Sequence, residues 1–92
     1  MTETVEIARK RLIMRSMRRG IKEMDLILSD FASRALGGYD AEQLALYEAL
    51  LDESDLDIYH WVSGQSDAPA KFASLVSDIT AGATGLTRPH AT

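Results

Sequence analysis

Side chains able to do chemistry are sparse in this chain, and most lack the company that catalysis requires. His60 and His90 stand far apart, and only Asp57, one helical turn before His60, could share a cation with it. That is half a metal site, because zinc needs three or four ligands at recurring spacing. A partly exposed helix histidine is the plainer reading. Ser16, Ser54, Ser63 and Ser66 sit in no strand-to-helix elbow that would present a nucleophile, and several suit caps or surface positions. The sequence has no cysteine, which excludes disulfides, thiolate metal sites and a sulfur nucleophile. No glycine-rich loop follows a strand, so a nucleotide-binding fold is not indicated. No catalytic residue and no metal ligand is assigned.

What remains is charge in an uneven arrangement. Residues 1–36 carry eight basic and five acidic side chains, net +3, while residues 37–92 carry two and nine, net −7. Six of the cations fall between Arg9 and Arg19, and Asp52, Glu53, Asp55 and Asp57 form an opposing acidic cluster. Such polarity implies internal pairing or a partner with a matching surface. Arg11, Arg15 and Arg18 share a helical face, which raises nucleic-acid binding. Against it stand the net charge of −4, the lack of interleaved aromatics and the absence of a helix-turn-helix pattern. A solvated face, or pairing with an acidic fourth helix, outranks DNA or RNA as the explanation. Met14, Met17 and Met24 gather around the first turn, where methionine is usually adaptable packing, although exposed ones would suit a protein-binding surface. Tyr59 and Trp61 are read as core residues.

The elements that must position these groups are helical, since no stretch alternates with period two. A first helix is expected from about Thr4 to Met17, burying Val5, Ala8, Leu12 and Ile13. A second starts near Gly20 and buries Ile21, Met24, Leu28, Phe31 and Ala35, ending at Gly37-Gly38 through left-handed glycine. Asp40, with Gln43 three residues on, predicts a capping box for the third, which carries Leu44, Tyr47, Leu50 and Leu51. Ser54 caps a short fourth bearing Leu56, Ile58, Tyr59, Trp61 and Val62 and closed by Gly64. Asp67 caps a fifth, with Pro69 tolerated in its first turn and Phe72, Leu75, Val76 and Ile79 buried. The expectation is an all-α, compact five-helix bundle: one domain over residues 1–81, followed by a mobile tail over 82–92.

Arg19-Gly20-Ile21-Lys22-Glu23 joins the first two helices. With Gly20 as N-cap, Glu23 falls at the third helical position, where it can reach back to an amide and favour the helix dipole. Arg19 and Glu23 could pair across the turn, worth a few tenths of a kcal/mol when exposed. Those residues alone describe a corner. The surplus of Arg15, Arg18, Arg19 and Lys22 beside a helix N-terminus does not follow from that reading, and local rules are often broken where function lies.

No apolar run approaches the roughly 20 residues that span a bilayer, so no direct membrane insertion is expected. The acidic N-terminus lacks a hydrophobic signal core and the Arg/Ser-rich character of a transit peptide. The resulting expectation is a soluble protein of the bacterial cytoplasm, monomeric when free.

At this point two blocks resemble a known family. Residues 15–31, reading from Arg15-Ser16-Met17-Arg18-Arg19-Gly20 to Phe31, are similar to the signature of the SdhE family, small FAD assembly factors for the flavoprotein subunit of succinate dehydrogenase. Its Arg-Gly-x-x-Glu hallmark is matched by Arg19, Gly20 and Glu23, with Asp25 also fitting. A second block matches through Leu51, Asp55, Asp57, Ile58, Tyr59 and Trp61, with Leu56 where many members have proline. The resemblance runs from about Ala8 to Ile79. It implies a five-helix protein that is not itself an enzyme, binds that flavoprotein subunit and promotes covalent attachment of FAD to it, with fumarate reductase flavoproteins as further clients. No cofactor is then stably bound by this chain; it acts on FAD attachment in the partner. The partner-binding surface implied is Arg19, Gly20 and Glu23, with Arg15, Arg18, Asp25, Asp55 and Asp57 extending it. Three other readings stay open: a general helical interaction module, such as an antitoxin-like regulator, with another client; a nucleic-acid binder using the first helix; and a direct FAD carrier.

Overall fold

Local signals in the chain account for most of the helix starts. In the computed structural model, which describes residues 3–83, five α-helices run over Val5–Arg15 (α1), Lys22–Ala35 (α2), Ala41–Leu51 (α3), Asp55–Val62 (α4) and Ala73–Ala83 (α5). The fold is all-α, as expected. Thr4 caps α1 by accepting the Ile7 N–H, and Ser54 caps α4 by accepting that of Asp57. Asp40 and Gln43 form the reciprocal capping box of α3, each side chain taking the other's backbone amide at 2.8–2.9 Å. Gly64, at φ +82°, closes α4 in the left-handed conformation that glycine adopts without steric cost.

Three boundaries differ from the expectation. The α2 helix is not ended by left-handed glycine: neither Gly37 nor Gly38 has positive φ, and a 3-10 turn over Leu36–Gly38 continues the helix instead. Arg9 holds this continuation in place, its guanidinium donating to the Leu36 and Tyr39 carbonyls at 2.7 and 3.1 Å, at the two ends of the 3-10 turn. Asp67 does not cap α5; it is exposed, and a 3-10 turn over Ala70–Phe72, entered from Pro69, leads into the helix. The expected boundary at residue 81 falls within α5, which continues through Gly82 and the buried Ala83. The remainder of the expected tail lies outside the described residues.

Packing centres on α2, whose buried stripe is Met24, Ile27, Leu28, Phe31 and Ala32. It contacts α5, α1 and α4, while α1 lies along α3. Leu12, Leu44, Tyr47, Leu50, Leu51, Ile58, Phe72 and Ile79 complete the core. The α1 helix contributes less than its pattern promised: only Leu12 is fully buried, and Val5 is exposed. Leu56 also faces solvent, whereas Tyr59 and Trp61 are half-buried, with Trp61 against Phe72 at a ring separation of 6.0 Å.

Two polar features tie α1 to α3. Ser16, fully buried just after α1, donates to or accepts from the Tyr47 hydroxyl at 2.6 Å and also bonds the Leu12 carbonyl. Burial pushes the Tyr47 phenol up to about 12, so it stays a neutral hydrogen-bonding group. Nearer the surface, Arg11 bridges Glu3 and Glu48, and Arg15 pairs with Asp52 at 2.8 Å. The expected pairing of the basic stretch is thus real, but it is shared: Arg11 and Arg15 find Glu48 and Asp52 on α3 and its C-cap, and Arg19 finds Asp55 at the start of α4.

Two measurements check this account. Ser16→Ala leaves the buried Tyr47 hydroxyl without its partner and should cost about 1–3 kcal/mol in urea unfolding. Tyr47→Phe should cost less, because Ser16 keeps its bond to Leu12. The Arg11 hydrogen bond holds the Glu48 carboxyl below its usual range. The folded state therefore binds fewer protons than the unfolded chain in acid, so this contribution is intact above the unfolded value of about 4.3 and drains away as pH falls through the folded one. Glu48→Gln should flatten the loss of stability below about pH 4.3, read from urea midpoints across the acid range.

Candidate functional site

The corner between α1 and α2 is where the chain breaks local rules. Gly20 is not the N-cap: Ile21 holds that position in extended conformation and offers no side-chain hydrogen bond. Glu23 is therefore the second residue of α2, not the third, and cannot complete a capping box. It lies exposed, and no bond to Arg19 forms. The chain enters α2 held from outside instead. Asp25 accepts the Arg18 N–H at 2.9 Å and the Ser29 hydroxyl at 3.2 Å, and Asp55 accepts the Gly20 N–H.

Asp55 is the hinge-pin of the site. Its other oxygen takes the Arg19 guanidinium, with Nε at 2.9 Å and Nη2 at 2.7 Å. The remaining Arg19 donors reach the Arg15 carbonyl at 3.1 Å and the Leu51 carbonyl at 3.0 Å, near the last residues of α1 and α3. Both side chains are largely withdrawn from water, at 12% and 15% exposure. An arginine fork suits this task because its donors diverge in one plane. Gly20 suits this approach: a Cβ there would lie 3.2 Å from the Asp55 carboxylate, tighter than ordinary contact, and the carboxylate would have to give by a few tenths of an ångström. The Arg-Gly pair and the distant Asp-x-Asp block are thus two halves of one clasp.

The eight residues assigned to a partner surface divide into two groups. Arg15, Arg19, Gly20 and Asp55 are engaged within the fold, and Asp25 holds the turn. Arg18, Glu23 and Asp57 present exposed side chains without a bond among the described residues. Arg18 stands out further, because its φ of +56° places a non-glycine residue in the left-handed region, at a cost of about 1–2 kcal/mol. The crowding of cations noted in the sequence is relieved by these pairings, since Arg9, Arg11, Arg15 and Arg19 all find acceptors. Among the described residues no group of three His, Cys, Asp or Glu side chains converges as metal ligands would. Sequence reasoning missed Ser16 and Tyr47 as a buried polar pair, and no spacing signal marks two residues so far apart in the chain.

This helical bundle with a clasped Arg-Gly corner belongs to a class already characterised in sequence. The chain belongs to the Sdh5 family, described as flavinator of succinate dehydrogenase, whose model matches residues 10–83. It is 48% identical over 65 residues to succinate dehydrogenase assembly factor 2, mitochondrial, of Debaryomyces hansenii, covering 71% of this chain and 46% of that protein. The Schizosaccharomyces japonicus protein of the same name is 48% identical over 67 residues, covering 73% and 47%. Assembly factor 2-A of Drosophila willistoni is 39% identical over 79 residues, covering 84% and 50%. The chain spans about half the length of the curated relatives it matches. These relatives are eukaryotic and mitochondrial by name, which overturns the expectation of a bacterial cytoplasm. A cysteine-free composition and the lack of a long apolar run fit any reducing compartment and so carry no address. No helix among the described residues is long and apolar enough to cross a membrane.

If Asp55 joins the two motif blocks, removing it should be felt throughout the corner. Asp55→Ala leaves Arg19 withdrawn from water without its counter-charge and should cost about 2–3 kcal/mol, below the ~3–5 of a fully buried pair because some solvent reaches it. Thermal or urea unfolding measures this; a loss under about 0.5 kcal/mol, within the range of ordinary surface substitutions, would show that the clasp is incidental.

Proposed function

We propose that this chain binds the flavoprotein subunit of succinate dehydrogenase and promotes covalent attachment of FAD to it, as an assembly factor rather than an enzyme. The observation carrying this reading is the family match over residues 10–83, which takes in both halves of the Arg19–Gly20–Asp55 clasp. Related fumarate reductase flavoproteins are further clients on the same reading.

The chemistry belongs to the partner, which supplies both the flavin and the residue that receives it. The small protein contributes binding energy that favours a competent conformation of the partner, and it can shift that equilibrium only by its differential affinity for the two states.

On this reading the motif residues do different work. Arg19, Gly20 and Asp55 build the corner and set its shape. Arg18 and Glu23 carry opposite charges outward from it and are the groups available to pair with the partner, where a guanidinium offers bidentate contact to a carboxylate. Asp57 extends this edge from α4.

The test is reconstitution of the flavoprotein subunit with FAD, followed by flavin fluorescence of the denatured band in a gel. The wild-type chain should raise covalent flavin; no change would sink the reading. Glu23→Ala and Arg18→Gly should fold with unaltered or slightly raised stability and yet lower flavinylation roughly tenfold, as for a loss near 1.4 kcal/mol. Arg19→Ala should lower both stability and flavinylation, because it dismantles the corner.

A further inference from the structure

The α1 helix exposes a face that packing within the chain does not explain. At about 100° per residue, Ile7, Lys10 and Met14 fall together on the side of α1 opposite the buried Leu12, and Met17 follows just past the end of the helix, its amide bonded to the Met14 carbonyl. The apolar members are open to solvent: Ile7 is 56% exposed, Met14 73% and Met17 47%. Isolated exposed apolar residues need no explanation, but three on one helical stripe, running into the strained Arg18 corner, form a continuous feature.

Charge indicates what covers it. Arg9, Arg11, Arg15, Arg19 and Arg34 are all taken up by carboxylates or carbonyls. The side chains of Lys10, Arg18 and Lys22 have no hydrogen bond or ion pair among the described residues. Lys10 lies within the stripe, Arg18 at its end and Lys22 just beyond the corner. Three of the four lysines and arginines without such a bond among the described residues therefore gather around the free apolar side chains, Lys71 lying apart over the Phe72 ring, although the chain as a whole is acidic, at net −4. We propose that the Ile7–Lys10–Met14–Met17 face of α1 is a docking surface for an apolar patch rimmed by carboxylates on the partner protein. The inference rests on the reading above and extends its contact from the corner along the length of α1. Unbranched, polarizable methionine suits such a surface because it adapts to the shape opposite.

Methionine oxidation supplies a direct test, with Met24 as a fully buried internal control. Hydrogen peroxide transfers one oxygen to an accessible thioether, giving a sulfoxide and water. Mass spectrometry of the free chain should show Met14 and Met17 oxidised and Met24 spared; in complex with the flavoprotein subunit, Met14 and Met17 should be protected several-fold. Oxidation at unchanged rates in the complex overturns the docking surface. Met14→Glu should retain the thermal midpoint of the wild type and lose at least tenfold in affinity for that subunit, as for a truncated hot spot. A full-affinity Met14→Glu also overturns it. Absence of any complex with the wild-type chain is instead a failure of the proposed function. Protection of the two methionines by vesicles of anionic lipid, or by raising the concentration of the chain alone, without protection by the subunit, would assign the face to a membrane or a second copy and refute the proposal.

Discussion

One carboxylate organises the end of this molecule on which the rest depends. Asp55 is the first residue of α4, yet its two oxygens reach the Gly20 amide and the Arg19 guanidinium at the α1–α2 corner. Through Arg19 the same contact reaches the Arg15 and Leu51 carbonyls. The ends of α1, α3 and α4 and the turn leading into α2 are therefore joined through one carboxylate and one guanidinium. Each partner is constrained by type. A glutamate at residue 55 would push its oxygens a methylene further into a space already closed by Gly20. A lysine at residue 19 would offer a point charge in place of a fork that serves three acceptors. A paired charge withdrawn from water gives weak net stability because desolvation opposes attraction. Its contribution is geometric: it selects one arrangement of the helix ends over others with equal apolar burial.

The uneven distribution of charge follows from the same logic. The basic first half and acidic second half meet along the α1–α3 and corner contacts, where Arg11, Arg15 and Arg19 face Glu48, Asp52 and Asp55. At 35–63% side-chain exposure the Arg11 and Arg15 pairs are screened and contribute little each. What they do is consume charge. Once they are made, Arg11, Arg15 and Arg19 of the basic stretch that resembled a nucleic-acid footprint are matched by carboxylates, and Lys10, Arg18 and Lys22 are left over along α1 and its corner with α2.

Much of the bundle could be read from short-range pattern. The capping box at Asp40 and Gln43, the Ser54 cap and the apolar stripe of α2 all depend on residues within one or two turns, and spacing reports such relations. Long-range satisfaction is what spacing cannot report. Gly37-Gly38 looked like a left-handed stop until Arg9, from another helix, was found to satisfy the carbonyls there. Gly20 looked like a cap because glycine suits one, whereas its reason is the approach of Asp55. Leu56 fitted a helical stripe but lies on the open side of a short α4. In the site, the two motif blocks were legible as separate signals, and the resemblance to a family joined them by analogy. The physical join, a hydrogen-bonded clasp across 35 residues of sequence, had no local signature.

The clasp also bears on which motif residues can meet a partner. A side chain already saturated by internal acceptors has little to offer across an interface, and withdrawing it would cost the partner more than a surface contact returns. Arg19 is in that position. Arg18 is the reverse case: its amide is held by Asp25, its backbone is strained, and its guanidinium has no bond among the described residues. Strain of this kind persists only where the surrounding structure over-determines it, and here the Asp25 bond on one side and the Gly20–Asp55 bond on the other do so. The cost would disappear with glycine at residue 18, so packing gives no reason for an arginine there. An exposed guanidinium at the corner, next in the chain to the exposed Met17, does give one, provided something outside the chain comes to meet it.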